Sequence, residues 1–290
     1  MGARPTDAAV PAFGADDGRR RLAVLGSPIA HSKSPALHRA AYERLGLDWT
    51  YDRAEVGEGG LAAFVDALGP EWRGLSLTMP LKPEALALAD DVERLAERAG
   101  AVNTLLLSPD GRRLGFNTDI GGIVRALGDA GVHAIRHGVL VGGGATAASA
   151  LVAMAELGAI GVEVCVRDAG RAASVVELGH GLGLVVDVRT LDRFAEPSGA
   201  DLVVSTVPGG ADLGIAPSDE LAAAPLLDVA YAPWPTALAA AWDERGGRVA
   251  HGLGMLVHQA LLQVRIFLTG DPMAELPDEA AVLDVMRQAA

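Results

Sequence analysis

"HGVLVGGGATAASALVAMAELGA", residues 137–159, runs an apolar strand pattern into three glycines and then into a long alanine-rich helical pattern. Strand, glycine turn and helix in that order bring free backbone amides up to a diphosphate. Gly142, Gly143, Gly144, Ala145, Thr146 and Ala147 fit the spacing Gly-x-Gly-x-x-Ala. The first glycine of that spacing permits the tight turn, and the second lets backbone approach a pyrophosphate. A small residue at the third key position lets the helix lie close on the strand. The stretch predicts a Rossmann-type dinucleotide-binding unit.

On the C-terminal side a second strand is expected at 162–166, about 20 residues past the turn. Its end reads Val166-Arg167-Asp168-Ala169-Gly170-Arg171. A carboxylate there suits the ribose hydroxyls of NAD, and arginine suits the 2′-phosphate of NADP. Arg167 and Arg171 around one aspartate favour NADP, with Asp168 acting against it. Further strands are expected at 183–187, 201–205 and 226–229, with helices near 170–179 and 235–245. "HGLGMLVHQALLQVRIFLTG", residues 251–270, opens a helix near 253–268 that is apolar on most faces. Such helices are buried, so this one is expected to pack back on the first half of the chain.

On the N-terminal side, short apolar runs at 21–25, 49–55 and 74–78 alternate with helical patterns at 35–46, 59–68 and 83–89. A pair of runs follows at 101–107 and 112–116. The alternation is that of α/β units with parallel strands. The expected division is a flexible tail at 1–20, an α/β domain at 21–119 completed by helices within 253–290, and a dinucleotide domain at 120–252. A helix over 120–130 serves as connector.

Polar groups gather at the strand ends of the first half, where open α/β sheets place their ligands. "GSPIAHSKSP" (26–35) carries Ser32 and Ser34; "LSLTMPLKPEA" (75–85) carries Thr78 and Lys82. "AGAVNTL" (99–105) carries Asn103, and "LGFNTDIGG" (114–122) carries Asn117, Thr118 and Asp119. Lys82 suits a proton carrier; it also fits an ordinary surface lysine. Ser34 before Pro35 has the pattern of a helix N-cap, and Thr118 or Asp119 has it for the helix after residue 120.

The 290 residues carry a formal charge of −13, which argues against nucleic acid as a partner. Any anionic ligand must therefore be held by a few local cations or amides. No apolar run approaches the roughly 20 residues of a membrane span, and residues 1–20 lack the apolar core of a signal peptide. A cytoplasmic setting is expected, with no membrane partner. The one cysteine, Cys165, lies in an apolar run and is expected to be core filler. No metal site is expected. A homodimer is the oligomeric state to test.

These motifs together, with "DVAYAPWPT" (228–236) and "GLGMLVHQA" (252–260), resemble the shikimate dehydrogenase family from Gly26 nearly to the end of the chain. The resemblance implies reversible NADP-linked reduction of 3-dehydroshikimate to shikimate, on the route to chorismate and the aromatic amino acids. It implies Lys82 and Asp119 as the catalytic pair, with Ser32, Ser34, Thr78, Asn103, Asp119, Tyr231 and Gln259 contacting substrate. Gly142 to Ala147, Arg167, Arg171, Val229 and Gly252 would line the NADP site. Two departures stand out: family members often carry Asn-Arg-Thr at 166–168, and aspartate is common where this chain has His251. The alternatives are a quinate/shikimate dehydrogenase using NAD and a noncatalytic sensor of cofactor or substrate. The unsubstituted serines 32 and 34 favour shikimate, and the complete Lys82 and Asp119 pair favours an enzyme.

Overall fold

A computed structural model describes residues 19–196 and 198–290. Residues 1–18, most of the expected tail, lie outside the described residues, as does the side chain of Arg171.

Leu22, Ala23, Val24 and Leu25 are all buried, as a strand covered on both faces requires. They form β1 (Arg20–Gly26), which lies between β2 (Trp49–Glu55) and β3 (Trp72–Leu77) and parallel to both. Helices α1 (Ser34–Arg44) and α2 (Leu61–Asp66) make the crossovers. The chain continues through α3 (Lys82–Leu88), β4 (Asp91–Val92), α4 (Arg94–Ala99), β5 (Thr104–Leu107) and β6 (Arg113–Phe116). The first sheet has the order β2-β1-β3-β5-β6-β4.

This sheet is mixed, which corrects the expectation of parallel strands: β5 is antiparallel to both β3 and β6. The cause is a hairpin, closed where the amide of Ser108 donates to the carbonyl of Arg112 at 2.9 Å. Strand β4 and helix α4 are additions to the sequence reading. At two and six residues they are too short to show a periodic pattern.

Helix α5 (Thr118–Asp129) leads to the second sheet. There β7 (His137–Val141), α6 (Ala145–Glu156), β8 (Gly161–Val166), α7 (Ala173–Gly181) and β9 (Val185–Thr190) form one half. Strand β10 (Leu202–Ser205), α8 (Asp219–Ala222), β11 (Leu226–Asp228), α9 (Ala237–Asp243) and β12 (Val249–His251) form the other. All pairs are parallel, in the order β12-β11-β10-β7-β8-β9. Counted from β7 this is the doubly wound order, with its switch point between β7 and β10.

Helix α10 (Gly252–Thr269) does pack back, against α5 and α1, and α11 (Glu279–Ala289) closes the chain against α1. Val257, Leu261, Val264 and Phe267 share one core with Leu22, Val24, Leu37 and Tyr42. Helix α10 has the length and hydropathy of a membrane span, and 72% of it is buried inside the fold. Gly122 lets α5 and α10 meet: a Cβ on it would lie 2.9 Å from both the Cβ of Gln259 and the carbonyl of Met255. Cys165 is buried in a core cluster with Val139, Val141 and Val203 of the second sheet, and burial pushes its thiol up to about 12.

Candidate active site

The carboxyl ends of β1 and β3 and the start of α5 deliver the first half's polar groups to one cavity of about 310 Å³. Lys82 opens α3 directly after the turn that ends β3, and its carbonyl accepts from the amide of Val102. Asp119 lies in the first turn of α5. The two side chains are almost fully buried and paired, with Lys82 Nζ donating to Asp119 Oδ2 at 2.5 Å. A buried ion pair is weak evidence for stability, because desolvation offsets its attraction. Both residues line the cavity, where such a pair has the parts for proton transfer: an ammonium beside a fixed carboxylate.

Asn103 completes this corner, donating through Nδ2 to Asp119 Oδ1 at 2.8 Å and to Thr118 Oγ1 at 3.0 Å. Its own Oδ1 accepts from the amide of Thr118 at 2.9 Å. Thr118 Oγ1 lies 3.3 Å from Gln259 Oε1 on α10. The cap of α5 is Asn117, whose Oδ1 accepts from the amide of Asp119 at 3.0 Å. Asn117 Nδ2 also bridges Ala101 to Ser149 on α6. This corrects the expectation that Thr118 or Asp119 would cap: Asp119 is left with both oxygens for Lys82 and Asn103.

Ser34 is likewise no cap. It is the first residue of α1, behind Lys33, and no side-chain bond caps that helix. Instead Ser32 Oγ accepts from the amide of Ser34 at 3.3 Å. The buried Ser34 hydroxyl lines the cavity beside Ser32 and Thr78.

The second half supplies the opposite wall. Tyr231 lies on the loop after β11, tied by the buried carboxylate of Asp228. Oδ1 of Asp228 accepts from the amide of Ala230 at 3.1 Å, and Oδ2 from the hydroxyl of Thr236 at 2.6 Å. Burial raises the pKa of both Asp228 and Tyr231, keeping the phenol neutral. Thr146, Val229, Tyr231 and Gly252 line the cavity together with the first half's residues.

The glycine turn fits a dinucleotide. Gly142 has φ +122°, and a Cβ there would collide with Thr206 Oγ1. Gly144 caps α6 without any side-chain bond, and a Cβ on it would meet nothing within 4 Å. Ala147 is fully buried where α6 lies on the sheet. These are the open cradle and free donors that a pyrophosphate needs. Arg167 is exposed at the end of β8. Asp168 folds back, its Oδ1 accepting from the amide of Gly170 at 3.0 Å. Arg171 lies in the turn Ala169–Ala172.

A family model described as the shikimate dehydrogenase substrate binding domain matches residues 24–105. The shikimate dehydrogenase (NADP(+)) of Methylobacterium radiotolerans is 38% identical over 255 residues, covering 83% of this chain and 88% of that one. The chain belongs to the shikimate dehydrogenase family. Its fold superposes on the crystal structure of Mycobacterium tuberculosis shikimate dehydrogenase with TM-score 0.81 and 43% identity, over 93% of this chain and all of that one. The Thermus thermophilus shikimate 5-dehydrogenase, solved in complex with NADP(H) and shikimate, matches with TM-score 0.78 and 33% identity, over 93% of this chain and 100% of that one.

Within this shikimate dehydrogenase fold the cavity gathers Ser32, Ser34, Thr78, Lys82, Asn103, Asp119, Tyr231 and Gln259, all singled out in the sequence. Gly142, Gly143, Gly144, Ala145, Ala147, Arg167 and Arg171 are not among its lining residues; they follow β7 and β8 in the second sheet. Sequence reasoning missed Ser76 and Gln263, which also line the cavity. The available signal was slight: a serine inside a leucine strand, and a glutamine one helical turn after Gln259.

Proposed function

We propose that this protein is an NADP-linked shikimate dehydrogenase that reduces 3-dehydroshikimate to shikimate and runs the reverse reaction. The observation that carries this reading is the buried Lys82–Asp119 pair at 2.5 Å, facing a cavity lined by hydroxyls from one half and by Thr146, Val229 and Gly252 from the other. Ser32, Ser34, Thr78 and Tyr231 offer hydroxyls, and Asn103 and Gln259 offer amides, to a small ring bearing hydroxyls and a carboxylate. NADPH, when bound, would supply the hydride that reduces the ring ketone and become NADP+, which would take the hydride back in the reverse direction. Lys82 as ammonium gives its proton to the oxygen that gains charge, and in the reverse direction takes it back. Asp119 holds Lys82 in place through one oxygen while Asn103 fixes the other. Gly142 to Ala147 would cradle the pyrophosphate, with Arg167 and Arg171 toward the 2′-phosphate. A cytoplasmic setting fits the lone, buried Cys165.

Initial rates with shikimate or quinate, each with NADP or NAD, test this assignment. The expected order puts shikimate with NADP first. A preference for quinate with NAD overturns it, and no turnover with any combination supports a binding role instead.

A further inference from the structure

Beneath the cavity floor lies a buried polar network that proton transfer does not itself use. His38 on α1 is fully buried and stacked on Tyr51, ring centroids 3.9 Å apart. Burial pushes its imidazole down to about 3, so it is neutral under ordinary conditions. Its Nδ1 lies 3.1 Å from the Tyr42 hydroxyl and its Nε2 lies 3.2 Å from Gln263 Oε1. With Gln263 Oε1 accepting, Nε2 carries the proton and Nδ1 accepts from Tyr42. Gln263 Oε1 also accepts from Ser76 at 2.8 Å, and Ser76 accepts from Tyr51 at 2.6 Å.

The other end of the Gln263 amide points toward the ion pair. Nε2 donates to Thr104 Oγ1 at 3.0 Å, which leaves the threonine proton for Asn103 Oδ1 at 2.8 Å. With this proton and the Thr118 amide both on its Oδ1, Asn103 turns Nδ2 toward Asp119, at 2.8 Å. Two donor chains, from Tyr42 through His38 and from Tyr51 through Ser76, converge on Gln263. One chain leads from there through Thr104 and Asn103 to the carboxylate. Every donor points toward Asp119, so neither amide can flip without leaving buried donors face to face.

We propose that His38 and Gln263 are positioning residues for the Lys82–Asp119 pair, acting through Thr104 and alongside the Thr118 amide to hold the Asn103 amide with Nδ2 on Asp119. This rests on Lys82 and Asp119 being the reacting pair. His38 does not line the cavity, so its effect on substrate is indirect. Gln263→Glu keeps the size and both acceptor contacts and, with its carboxyl ionised, replaces the Nε2 donor with an acceptor, so its rates are read at a pH above the carboxyl's titration. The Thr104 hydroxyl then turns toward the glutamate, and Asn103 Oδ1 keeps only its contacts to Thr118.

The test is steady-state kinetics of the full chain with shikimate and NADP for His38→Phe, His38→Asn, Gln263→Glu and Lys82→Ala, with unfolding curves for each. We expect kcat to fall roughly 10- to 100-fold in His38→Phe and in Gln263→Glu, with KM for shikimate within about threefold of wild type. His38→Asn, which keeps a donor at that depth, recovers a large part of the rate. Should His38→Phe fail to fold, Gln263→Glu decides alone. Wild-type kcat in a folded Gln263→Glu, or a raised KM at unchanged kcat, overturns the proposal. A fully active Lys82→Ala instead overturns the reading of the reacting pair, so the two failures are distinct.

Discussion

The first sheet and the second sheet contribute to one cleft, but they present opposite materials to it. At the first, the charged corner is already paired: Lys82 on Asp119, Asp119 on Asn103, Asn103 on Thr104 and Thr118. At the second, the glycine turn presents bare backbone, with no side chain capping α6 and open space beyond Gly144. The difference follows from what each must do. Proton transfer needs one side chain with a fixed partner and orientation. Phosphates need several amides with nothing in the way. Substitutions should therefore act differently in the two halves, on rate in the first and on cofactor affinity in the second.

The largest expected effect breaks the first half. Lys82→Ala removes the proton donor and leaves Asp119 buried without its cation, so kcat should fall by about 10²- to 10⁴-fold. Shikimate affinity, measured by titration calorimetry, should change only a few-fold, since the hydroxyl contacts stay. A variant near the wild-type rate would show that the lysine carries no proton.

A smaller effect sharpens the second half. Arg167→Ala should weaken NADP by about tenfold, the scale of one charge-assisted contact, and leave NAD nearly unchanged. Equal loss for the two cofactors, measured by fluorescence titration, would detach Arg167 from the 2′-phosphate. Asp168 does not reverse the expectation, because its carboxylate is engaged with the amide of Gly170 inside its own turn.

The two halves also differed in how far the sequence disclosed them. The glycine turn was legible because strand, turn and helix are contiguous, so local spacing carries the whole signal. The polar strand ends of the first half were legible as types, but their connections were not. Asn117, Thr118 and Asp119 are all competent caps, and only the backbone geometry at the start of α5 selects Asn117. Ser34 falls inside α1 because Lys33 already has helical backbone angles. Gln263 acquires its meaning from Thr104 and His38, more than 150 residues away in sequence. Strand β5 lies antiparallel because a hairpin forms it, a matter of pairing that strand propensity does not encode.

The smallest expected effect lies where the halves join. His251 stands where the family often has aspartate, and the structure gives it the work a capping carboxylate does: its Nδ1 accepts from the amide of Leu253 at 2.8 Å at the start of α10. That bond needs Nδ1 unprotonated. Burial lowers the pKa of His251, opposed by the charge of Asp228 and assisted by that of Lys33. The folded state therefore takes up its proton at lower pH than the unfolded chain, whose histidine titrates near 6.5. The sign follows: the cap contributes fully above about pH 6.5, and stability falls as pH drops below it, because the unfolded chain binds the proton first. Aspartate stays ionised to about pH 4 and suits a helix N-terminus. His251→Asp should therefore lose less stability than wild type between pH 7 and pH 5, by up to about 1 kcal/mol, the usual worth of a cap at a half-exposed site. Urea unfolding at the two pH values measures the difference. Identical pH dependence in both proteins would mean that the Leu253 amide finds another acceptor when the imidazole is charged. The start of α10, which carries Gly252 and Met255 into the cavity, would then be held by packing rather than by its cap.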